Sequence, residues 1–263
     1  MIDHKNKTIN AWWSMNPAPG NFGDILTPYL FKHLFGYRAV YTPLHVKTPF
    51  MTCVGSIVNK ATEHTTVWGS GAMRLEDKPN YRAKYLAVRG PITRDLIIDN
   101  GGKCPSVFGD PALLLPKIYT PPYMNASYDI GIIPHYVDYE MVRNWYANNP
   151  EVKVINLLNS NVNAVINEMV QCRRIFSSSL HGIIAAVAYG LPASWVEFSD
   201  KLSGDGTKFE DFFQSVNVYH RKTQMWLKPK SIESFSLLPY INDAKIQTSG
   251  LLNAFPIKVG LEP

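Results

Sequence analysis

Residues 174–192 read RIFSSSLHGIIAAVAYGLP, and this stretch decides the fold class. Residues 174–176 predict a short strand, and the small and apolar residues after Gly182 predict a buried helix that ends at residues 190–192. The three serines and the histidine between these elements therefore lie where a parallel strand passes into a helix. In open α/β sheets, ligands bind at such corners. Because backbone N–H groups and the positive end of the helix dipole point there, the corner suits an anion.

His181 follows Ser177, Ser178 and Ser179 at this corner. An imidazole exchanges a proton near neutral pH, so the pattern indicates a site that holds a phosphate or carboxylate and protonates an atom beside it. A histidine satisfied within the core, preceded by serines that only cap the helix, is the alternative interpretation. The stretch lacks the Gly-x-Ser-x-Gly pattern of a nucleophile elbow, which argues against a serine hydrolase.

Composition narrows the class of protein and its partners. The 263 residues are 46% hydrophobic and 18% charged, with a formal net charge of +5. The basic residues are scattered and do not alternate with aromatic residues, so we expect no nucleic-acid partner. The positive balance suits small anions or peripheral contact with an anionic membrane surface.

Cysteine usage and the N-terminal residues bear on location. Cys53, Cys104 and Cys172 show no Cys-x-x-Cys spacing, which argues against a disulfide framework and a structural zinc site. The first ten residues lack the apolar segment of a signal peptide, and the longest apolar stretch, 182–196, is too short and interrupted to cross a bilayer. We therefore expect a cytoplasmic protein without a metal or another cofactor, either free or peripheral to the inner face of the membrane.

Predicted strands and helices alternate on both sides of a proline-rich segment at residues 116–125. The alternation predicts an α/β fold of two doubly wound, Rossmann-like domains that face each other across a cleft. The predicted units are an N-terminal domain at 1–117, a C-terminal domain at 126–230 and a C-terminal helical tail at 231–263. The predicted strands are 8–14, 38–41, 51–58, 65–68, 84–88, 106–108, 129–133, 152–157, 174–176, 193–198 and 218–220, and the predicted helices are 24–34, 90–98, 139–147, 162–172, 183–189 and 209–216.

Two further corners in the N-terminal half carry polar residues or glycines. Asn21 and Asp24 begin and end an Asn-Phe-Gly-Asp segment, and each can cap the following helix or bind a sugar hydroxyl. The turn formed by Gly69, Ser70 and Gly71 lets backbone N–H groups approach a ligand, although such a turn often has no function of its own.

Three more residues lie at predicted strand ends. Arg89 follows the predicted strand 84–88 just before a helix, where a guanidinium can hold a phosphate or carboxylate through two hydrogen bonds; a surface ion pair is the alternative. His135 follows one predicted strand of the second half and Glu197 lies near the end of another, so we expect both to face the same cleft. The P-loop and Gly-x-Gly-x-x-Gly patterns are absent, which removes the usual support for ATP hydrolysis and dinucleotide binding.

Five segments at these corners, in this order along the chain, resemble the polysaccharide pyruvyl transferase family. They are residues 21–24 (NFGD), 88–94 (VRGPITR), 109–114 (GDPALL), 133–136 (IPHY), and 180–182 (LHG) together with 190–192 (GLP). The resemblance implies a two-domain fold similar to GT-B glycosyltransferases, with residues 1–117 on the acceptor side and 126–230 on the donor side. It also implies transfer of a pyruvyl group from phosphoenolpyruvate to a sugar acceptor, an oligosaccharide or lipid-linked glycan, with formation of a cyclic pyruvate ketal.

One position departs from the family pattern. Many members have an arginine before Leu-His-Gly, where this chain has Ser179. We expect the negative charge of the donor to be held instead by Arg89, Arg94, the serines or the helix N-terminus.

The resemblance and the chemistry of the donor together suggest site residues. Phosphoenolpyruvate carries a phosphate and a carboxylate, and protonation of its methylene carbon needs a positioned acid. His181 is the candidate acid or phosphate partner, and Arg89 is the candidate clamp for the donor anion. The other candidates are Ser177, Ser178, Ser179, Arg94, Gly69, Ser70 and Gly71 for the donor, and Asn21, Asp24, His135 and Glu197 for the acceptor.

Two other functions stay open. A GT-B glycosyltransferase with a nucleotide-sugar donor would share the cleft and the phosphate-binding helix terminus, and Glu197 could bind its ribose. A non-catalytic glycan-binding or assembly subunit is the third hypothesis, and the missing arginine is its main support.

Overall fold

Two sheets, built mainly from parallel strands, organise the chain and confirm the α/β class. The computed structural model describes residues 1–18, 20–123, 125–219, 225–226, 228–235, 237–241 and 243–257. The first sheet contains β1 (Ile2–Asp3), β2 (Thr8–Ala11), β3 (Arg38–Tyr41), β4 (Phe50–Thr52), β5 (Thr65–Trp68) and β6 (Lys84–Ala87). The second contains β7 (Tyr128–Ile133), β8 (Val152–Val154), β9 (Cys172–Ser177) and β10 (Ala193–Trp195).

The helices are short and follow the strands closely. They are α1 (Phe22–Phe35), α2 (Pro91–Asp99), α3 (Tyr139–Trp145), α4 (Val162–Val170), α5 (Leu180–Ala188), α6 (Thr207–Ser215), α7 (Ile232–Phe235) and α8 (Ser249–Ala254). In the described part of the chain, 3₁₀ helices cover Val58–Lys60, Pro111–Lys117 and Tyr136–Asp138. Within the described ranges, no helix has both the length and the apolar character that crossing a membrane requires.

Strand order determines where each half can bind a ligand. In the second sheet the order is β10-β9-β7-β8, with every pair parallel. In the first sheet β2 pairs in parallel with both β3 and β4, and β5 and β6 continue beyond β4. In each half, the chain first adds a strand on one side of a central strand and then continues on its other side. The central strands are β2 and β7, so the strand order reverses between β2 and β4 and between β7 and β9. Ligands bind at the carboxyl ends of the strands at such switch points.

The first half is not doubly wound as predicted. A doubly wound sheet needs crossover helices, but the connections at residues 42–49, 53–64 and 69–83 contain only the 3₁₀ turn Val58–Lys60. The first of these connections is shorter than the dozen or so residues that a helical crossover needs. The others are interrupted by glycine and proline, which break helices.

Three smaller predictions also differ from the structure. The expected strand at 106–108 is reduced to one parallel bridge between Val88 and Phe108. Val218 and Tyr219 are not in a strand, and His220, the last residue of that prediction, lies outside the described residues. Of the predicted proline-rich linker, the first residues belong to the 3₁₀ helix Pro111–Lys117, which packs against α5.

The largest core cluster contains residues from both halves. Phe22 and Leu26 of α1, Leu114 of the 3₁₀ helix, and Ile183 and Ala186 of α5 are all fully buried in it. Residues 182–187 are small or apolar throughout, and each is buried, which explains why α5 lies in the interior. The N-terminus of α5 is therefore held in place by the whole core.

The C-terminal segment returns to the first sheet. The indole Nε1 of Trp68 donates a hydrogen bond to the carbonyl of Leu251 in α8 at 2.8 Å. The ring of Phe255 stacks on Phe35 of α1 with centroids 3.8 Å apart. Among the described residues, the predicted helical tail contains two short helices, α7 and α8; its residues 236, 242 and 258–263 lie outside the described part of the chain.

Candidate active site

A cleft of about 250 Å³ lies where the two switch points meet. Each of its walls comes from the carboxyl end of a parallel strand or from the helix that follows it. The lining residues are Ser14, Asn16, Asn21, Asp24, Gly55, Ser56, Ile57, Met73, His135, Tyr136, Leu157, Ser179, Leu180, His181, Ser203 and Lys208. Three predicted corners, at 21–24, 135–136 and 179–181, are thus brought together, and Ser203 and Lys208 join them.

The hydroxyls of the three serines at 177–179 have different roles: two make hydrogen bonds within the protein, and the third lines the cleft. Ser177 is fully buried, and its hydroxyl donates to the carbonyl of Ile133 at 2.7 Å and accepts the N–H of Ser179 at 3.0 Å. The hydroxyl of Ser178 accepts the N–H of His135 at 2.8 Å, which joins this corner to the end of β7. Ser179 occupies the N-cap position of α5 but makes no side-chain capping bond, and it lines the cleft.

The N-terminus of α5 provides donors to the cleft. The N–H groups of Leu180, His181 and Gly182 belong to the first turn and have no acceptor within the helix. The first intrahelical bond at this end is donated by the N–H of Ile183 to the carbonyl of Ser179 at 3.2 Å. Together with the helix dipole, these N–H groups favour an anion beside Ser179.

His181 packs against the first half of the molecule. A Cβ atom added at Gly23 would overlap the imidazole of His181, so the glycine of the Asn-Phe-Gly-Asp segment makes room for the ring. On its other side, Nε2 lies 3.6 Å from Oδ2 of Asp110, too far for a hydrogen bond but within ion-pair range. Two segments that resemble the family, 21–24 and 109–114, thus hold the histidine of a third.

Asp110 was not predicted as a site residue. It is fully buried; its Oδ1 accepts the N–H of Ala112 at 2.9 Å, and Oδ2 has no hydrogen-bond partner among the described residues. A buried carboxylate oxygen without such a partner is costly, and Nε2 of His181 is the group placed to form an ion pair with it. The available signal was the position of Asp110 two residues after the end of the predicted strand 106–108.

Asn21 and Asp24 cap α1 reciprocally. Oδ1 of Asn21 accepts the N–H of Gly23 at 2.9 Å, and Oδ2 of Asp24 accepts the N–H of Asn21 at 3.1 Å. Burial raises the pKa of the Asp24 carboxyl to about 6, although the N–H of Asn21 and the nearby His181 act in the opposite direction. Asp24 therefore lines the cleft as a group that can exchange a proton close to neutral pH.

His135 also lines the cleft, opposite the first half. Burial, and after it the charge of Lys208, lowers the pKa of the His135 imidazole to about 4. The ring is therefore neutral at pH 7 and its Nδ1 accepts the N–H of Val137 at 3.5 Å. A neutral imidazole can donate or accept a hydrogen bond from a sugar hydroxyl without adding charge.

Lys208 is the one lysine or arginine among the described residues that lines the cleft. Its side chain is only 9% exposed, and Nζ donates to the carbonyl of Ser203 at 3.2 Å. Burial, and after it the charge of Arg89, lowers the pKa of the ammonium to about 8, against the opposing charge of Glu197. Sequence reasoning missed it because the helix was predicted to begin at 209, whereas α6 begins at Thr207 after a glycine-rich loop.

Arg89 does not line the cleft. Its side chain is fully buried: Nε donates to Asp211 at 3.0 Å, Nη1 to the hydroxyl of Ser56 at 2.7 Å, and Nη2 to the carbonyl of Ala72. A Cβ at Gly71 would overlap this guanidinium. Arg89 therefore reaches the cleft only through Ser56, and a direct contact with a donor anion has no support in this arrangement.

The remaining predicted residues lie away from the main cleft. Gly69 packs on Pro111, and the buried hydroxyl of Ser70 donates to the carbonyl of Cys53 at 2.8 Å. Arg94 lies on α2, within 3.5 Å of Asp95. Glu197 lines a second cavity of about 200 Å³ that shares Ser203 and Lys208 with the cleft.

The described residues contain no group of three or more histidine, cysteine or acidic side chains that could hold a metal ion. Positive charge in the cleft comes from Lys208 and the N-terminus of α5.

Comparison with known proteins bears on this site. The family model for polysaccharide pyruvyl transferases matches residues 74–200, a range that includes Asp110, His135 and His181. Over this range the chain is similar to the polysaccharide pyruvyl transferases. This similarity supports a transferase enzyme, and three of the segments quoted from the sequence, 21–24, 133–136 and 180–182, contribute residues to the cleft.

Two relatives extend the likeness beyond the matched range. An uncharacterised protein, L143, of Acanthamoeba polyphaga mimivirus is 27% identical over 236 residues, covering 84% of this chain and 81% of that protein. The succinoglycan biosynthesis protein ExoV of Rhizobium meliloti (strain 1021) is 27% identical over 215 residues, covering 77% of this chain. The chain spans about 63% of the length of ExoV.

Proposed function

We propose that the protein transfers the pyruvyl group of phosphoenolpyruvate to two hydroxyls of a sugar, forming a pyruvate ketal and releasing phosphate. The observation that carries the proposal is the cleft, in which the open N-terminus of α5, His181 and the Lys208 ammonium converge at two facing switch points. We further propose a GT-B-like division, with residues 1–117 as acceptor domain, 126–230 as donor domain and 231–263 as a tail.

The anionic donor suits the second-half wall of the cleft. Its phosphate and carboxylate need cationic or N–H donors, and Lys208 with the first turn of α5 supplies both kinds. Lys208 takes the part that the family arginine, replaced here by Ser179, would have played. At about 250 Å³, the cleft is smaller than the roughly 300–1,000 Å³ of pockets that hold drug-sized ligands, which favours a three-carbon donor over a nucleotide sugar.

His181 is the proposed acid. It gives a proton to the methylene carbon of phosphoenolpyruvate, which leaves C2 as an oxocarbenium-like electrophile. Asp110, 3.6 Å from Nε2, holds the ring in place. The Lys208 ammonium and the α5 N–H groups stabilise the phosphate that leaves.

Asp24 is the proposed base on the acceptor side. Because its pKa is about 6, its carboxylate is available at neutral pH and can take the proton of the first sugar hydroxyl as the oxygen attacks C2. The second hydroxyl then attacks C2, its proton goes to the departing phosphate, and the C2–O bond to phosphate breaks. Asn21 and the neutral His135 are proposed to bind sugar hydroxyls.

The acceptor class is proposed from the relatives. ExoV is named for succinoglycan biosynthesis, which supports an exopolysaccharide, or an oligosaccharide or lipid-linked precursor of one, as the acceptor. The net charge of +5 would favour a cytoplasmic enzyme that approaches such a precursor at the inner face of the membrane.

The first experiment compares ligands by thermal unfolding. A ligand that binds only the folded protein at 100 times its dissociation constant adds about 2.7 kcal/mol to the free energy of unfolding, which is a measurable shift. We expect phosphoenolpyruvate to raise the melting temperature beyond inorganic phosphate, and Lys208→Met to remove the difference. Activity is then measured as phosphate released in the presence of candidate acceptors, with the ketal detected by mass spectrometry.

Other results would redirect the proposal. Stabilisation by one of the UDP-, GDP- or CMP-sugars alone would support a glycosyltransferase. No stabilisation by any donor, together with binding of glycan, would support the non-catalytic subunit. Either outcome contradicts pyruvyl transfer by this chain.

A further inference from the structure

We infer that Asp211, a buried carboxylate outside the cleft, is a positioning residue that sets the place and the charge of Lys208 by fastening α6 to the first half of the molecule. The inference rests on the donor-binding role proposed for Lys208. It adds a second residue through which that role is controlled, and it gives the buried Arg89 a purpose other than direct contact with substrate.

Asp211 joins α6 to the N-terminus of α2. Its Oδ1 accepts the N–H of Thr93 at 2.9 Å, and its Oδ2 accepts the Thr93 hydroxyl at 2.7 Å and Nε of Arg89 at 3.0 Å. Gly90, the N-cap residue of α2, has no side chain with which to cap the helix. Asp211 supplies the missing acceptor from the other half of the molecule, so α2 and α6 are held end to side.

The fit between the two helices is tight. A Cβ at Gly90 would overlap the carbonyl of Asp211, so this glycine is required for α6 to approach. Asp211 and Arg89 are both fully buried, and so is Thr93. Because the buried Asp211 carboxylate accepts three hydrogen bonds at this close contact, α6 can neither slide nor rotate relative to α2 without breaking them.

Lys208 lies three residues before Asp211 on the same helix. Residues spaced by three share a helix face, so the side chain that is fastened and the side chain that enters the cleft are one turn apart. A shift of α6 that broke the bonds of Asp211 would therefore also move the ammonium. Among the described residues, Nζ has one hydrogen bond, to the carbonyl of Ser203, which leaves donors for a ligand.

Charge links the two residues as well. Three ionisable groups on other elements interact electrostatically with Lys208: Arg89 after β6, Glu197 after β10 and His135 after β7. Arg89 lowers the pKa of Lys208, and Asp211 is the carboxylate that neutralises Arg89. Loss of the Asp211 charge would leave the Arg89 charge uncompensated and lower the pKa of Lys208 further.

The experiment titrates Lys208 directly, in protein labelled with ¹³C at lysine Cε, and the resonance is assigned by its loss in Lys208→Arg. In the wild type we expect a midpoint near pH 8. In Asp211→Asn, which keeps the shape of the side chain, we expect the midpoint to fall by about half a pH unit or more. The pH above which phosphoenolpyruvate binding weakens should fall in parallel.

A double variant separates charge from folding. Breaking one side of a buried ion pair is strongly destabilising, whereas replacing both partners by neutral groups is often tolerated. In Arg89→Gln/Asp211→Asn, both charges are gone, so the Lys208 midpoint should lie above that of the wild type. This variant carries the test if Asp211→Asn alone fails to fold.

The matched control is Glu210→Gln, which removes the same charge from the neighbouring position of α6. Residues two apart on a helix do not face each other, so the Lys208 midpoint should stay at the wild-type value. A folded Asp211→Asn, or a folded double variant, with the wild-type midpoint would overturn the inference. Failure of the wild type to bind phosphoenolpyruvate would instead refute the proposed function, while the titration would still decide whether Asp211 controls Lys208.

Discussion

The two helix N-termini that face each other across the cleft differ in how their backbone donors are used. At α1, Asn21 and Asp24 form a reciprocal capping box, so the terminus is closed by its own side chains. At α5, Ser179 stands at the same position without a capping bond. Capping a helix stabilises the fold, and leaving a cap open costs stability. The backbone donors of the α1 terminus are therefore satisfied by its own side chains, whereas the α5 terminus keeps N–H groups that can bind a ligand.

Two buried cations, Arg89 and Lys208, also differ in how far their hydrogen-bond donors are used within the protein. Arg89 has its donors occupied by Asp211, Ser56 and Ala72, below the cleft. Lys208 lines the cleft with one hydrogen bond to the backbone. A cation whose donors are used within the protein organises the site, and a cation with donors to spare can bind an anion.

The largest expected effect is at the open terminus itself. His181→Ala should lower the rate of phosphate release by about 10²- to 10⁴-fold, the range contributed by a general acid. The control is His64→Ala, which removes a half-buried histidine far from the cleft lining and should leave the rate unchanged. A folded His181→Ala protein with the wild-type rate would contradict the acid role.

Asp110→Asn tests whether the open terminus depends on a buried carboxylate. The side chain can still accept the N–H of Ala112, but it loses the charge 3.6 Å from Nε2 of His181. We expect kcat to fall by about 10²-fold, with a smaller change in the KM for phosphoenolpyruvate. If kcat falls equally in His181→Ala and in the double variant Asp110→Asn/His181→Ala, the two residues act as one unit. Additive losses of kcat would argue against it.

Gly23→Ala tests whether the capped N-terminus of α1 holds the His181 ring at the uncapped N-terminus of α5. The new methyl group would occupy the place of the His181 imidazole, so we expect the ring to move, with a cost of about 1–3 kcal/mol in the free energy of unfolding and a lower kcat. Gly250→Ala is the control, because a Cβ there would meet its nearest neighbour at an ordinary 3.7 Å. Equal stability and activity of the two variants would refute the contact.

Sequence reasoning placed both termini but could not tell them apart. Asn21, Asp24, His135, Ser179 and His181 were all predicted at strand ends, and the carboxyl ends of parallel strands do bring them together. Capping geometry depends on side-chain rotamers that a sequence does not specify. The residues at 177–179 look alike in the sequence, yet only one of these hydroxyls lines the cleft.

Long-range pairing explains the other differences. Arg89 is buried because Asp211, 122 residues further along the chain, comes to meet it. Lys208 enters the cleft because α6 starts two residues before its predicted beginning and is fastened by that pair. Neither contact follows from local periodicity, which is why an arginine was predicted as the anion clamp and the lysine was overlooked.

The role proposed for Asp24 predicts how kcat/KM depends on pH. Its pKa of about 6 lies above the usual value, so the carboxylate needed as a base is lost as the pH falls through 6. We expect kcat/KM to decline below about pH 6 in the wild type, and Asp24→Asn to be slower by roughly 10-fold or more at pH 7.5 with that acidic decline reduced. An unchanged acidic decline in Asp24→Asn would assign it to another group.

The smallest effects test the caps themselves. Asn21→Ala removes a side chain that accepts two N–H groups of α1, so the free energy of unfolding in urea should fall by about 1 kcal/mol. Ser179→Ala removes a hydroxyl that makes no capping bond, so the change should stay within about 0.5 kcal/mol. Phosphoenolpyruvate should stabilise Asn21→Ala as much as the wild type and Ser179→Ala less, since only the second substitution touches the donor side. If Ser179→Ala lowered the free energy of unfolding as much as Asn21→Ala, both side chains would act as caps. The result would contradict the proposal that the N-terminus of α5 is uncapped so that it can bind an anion.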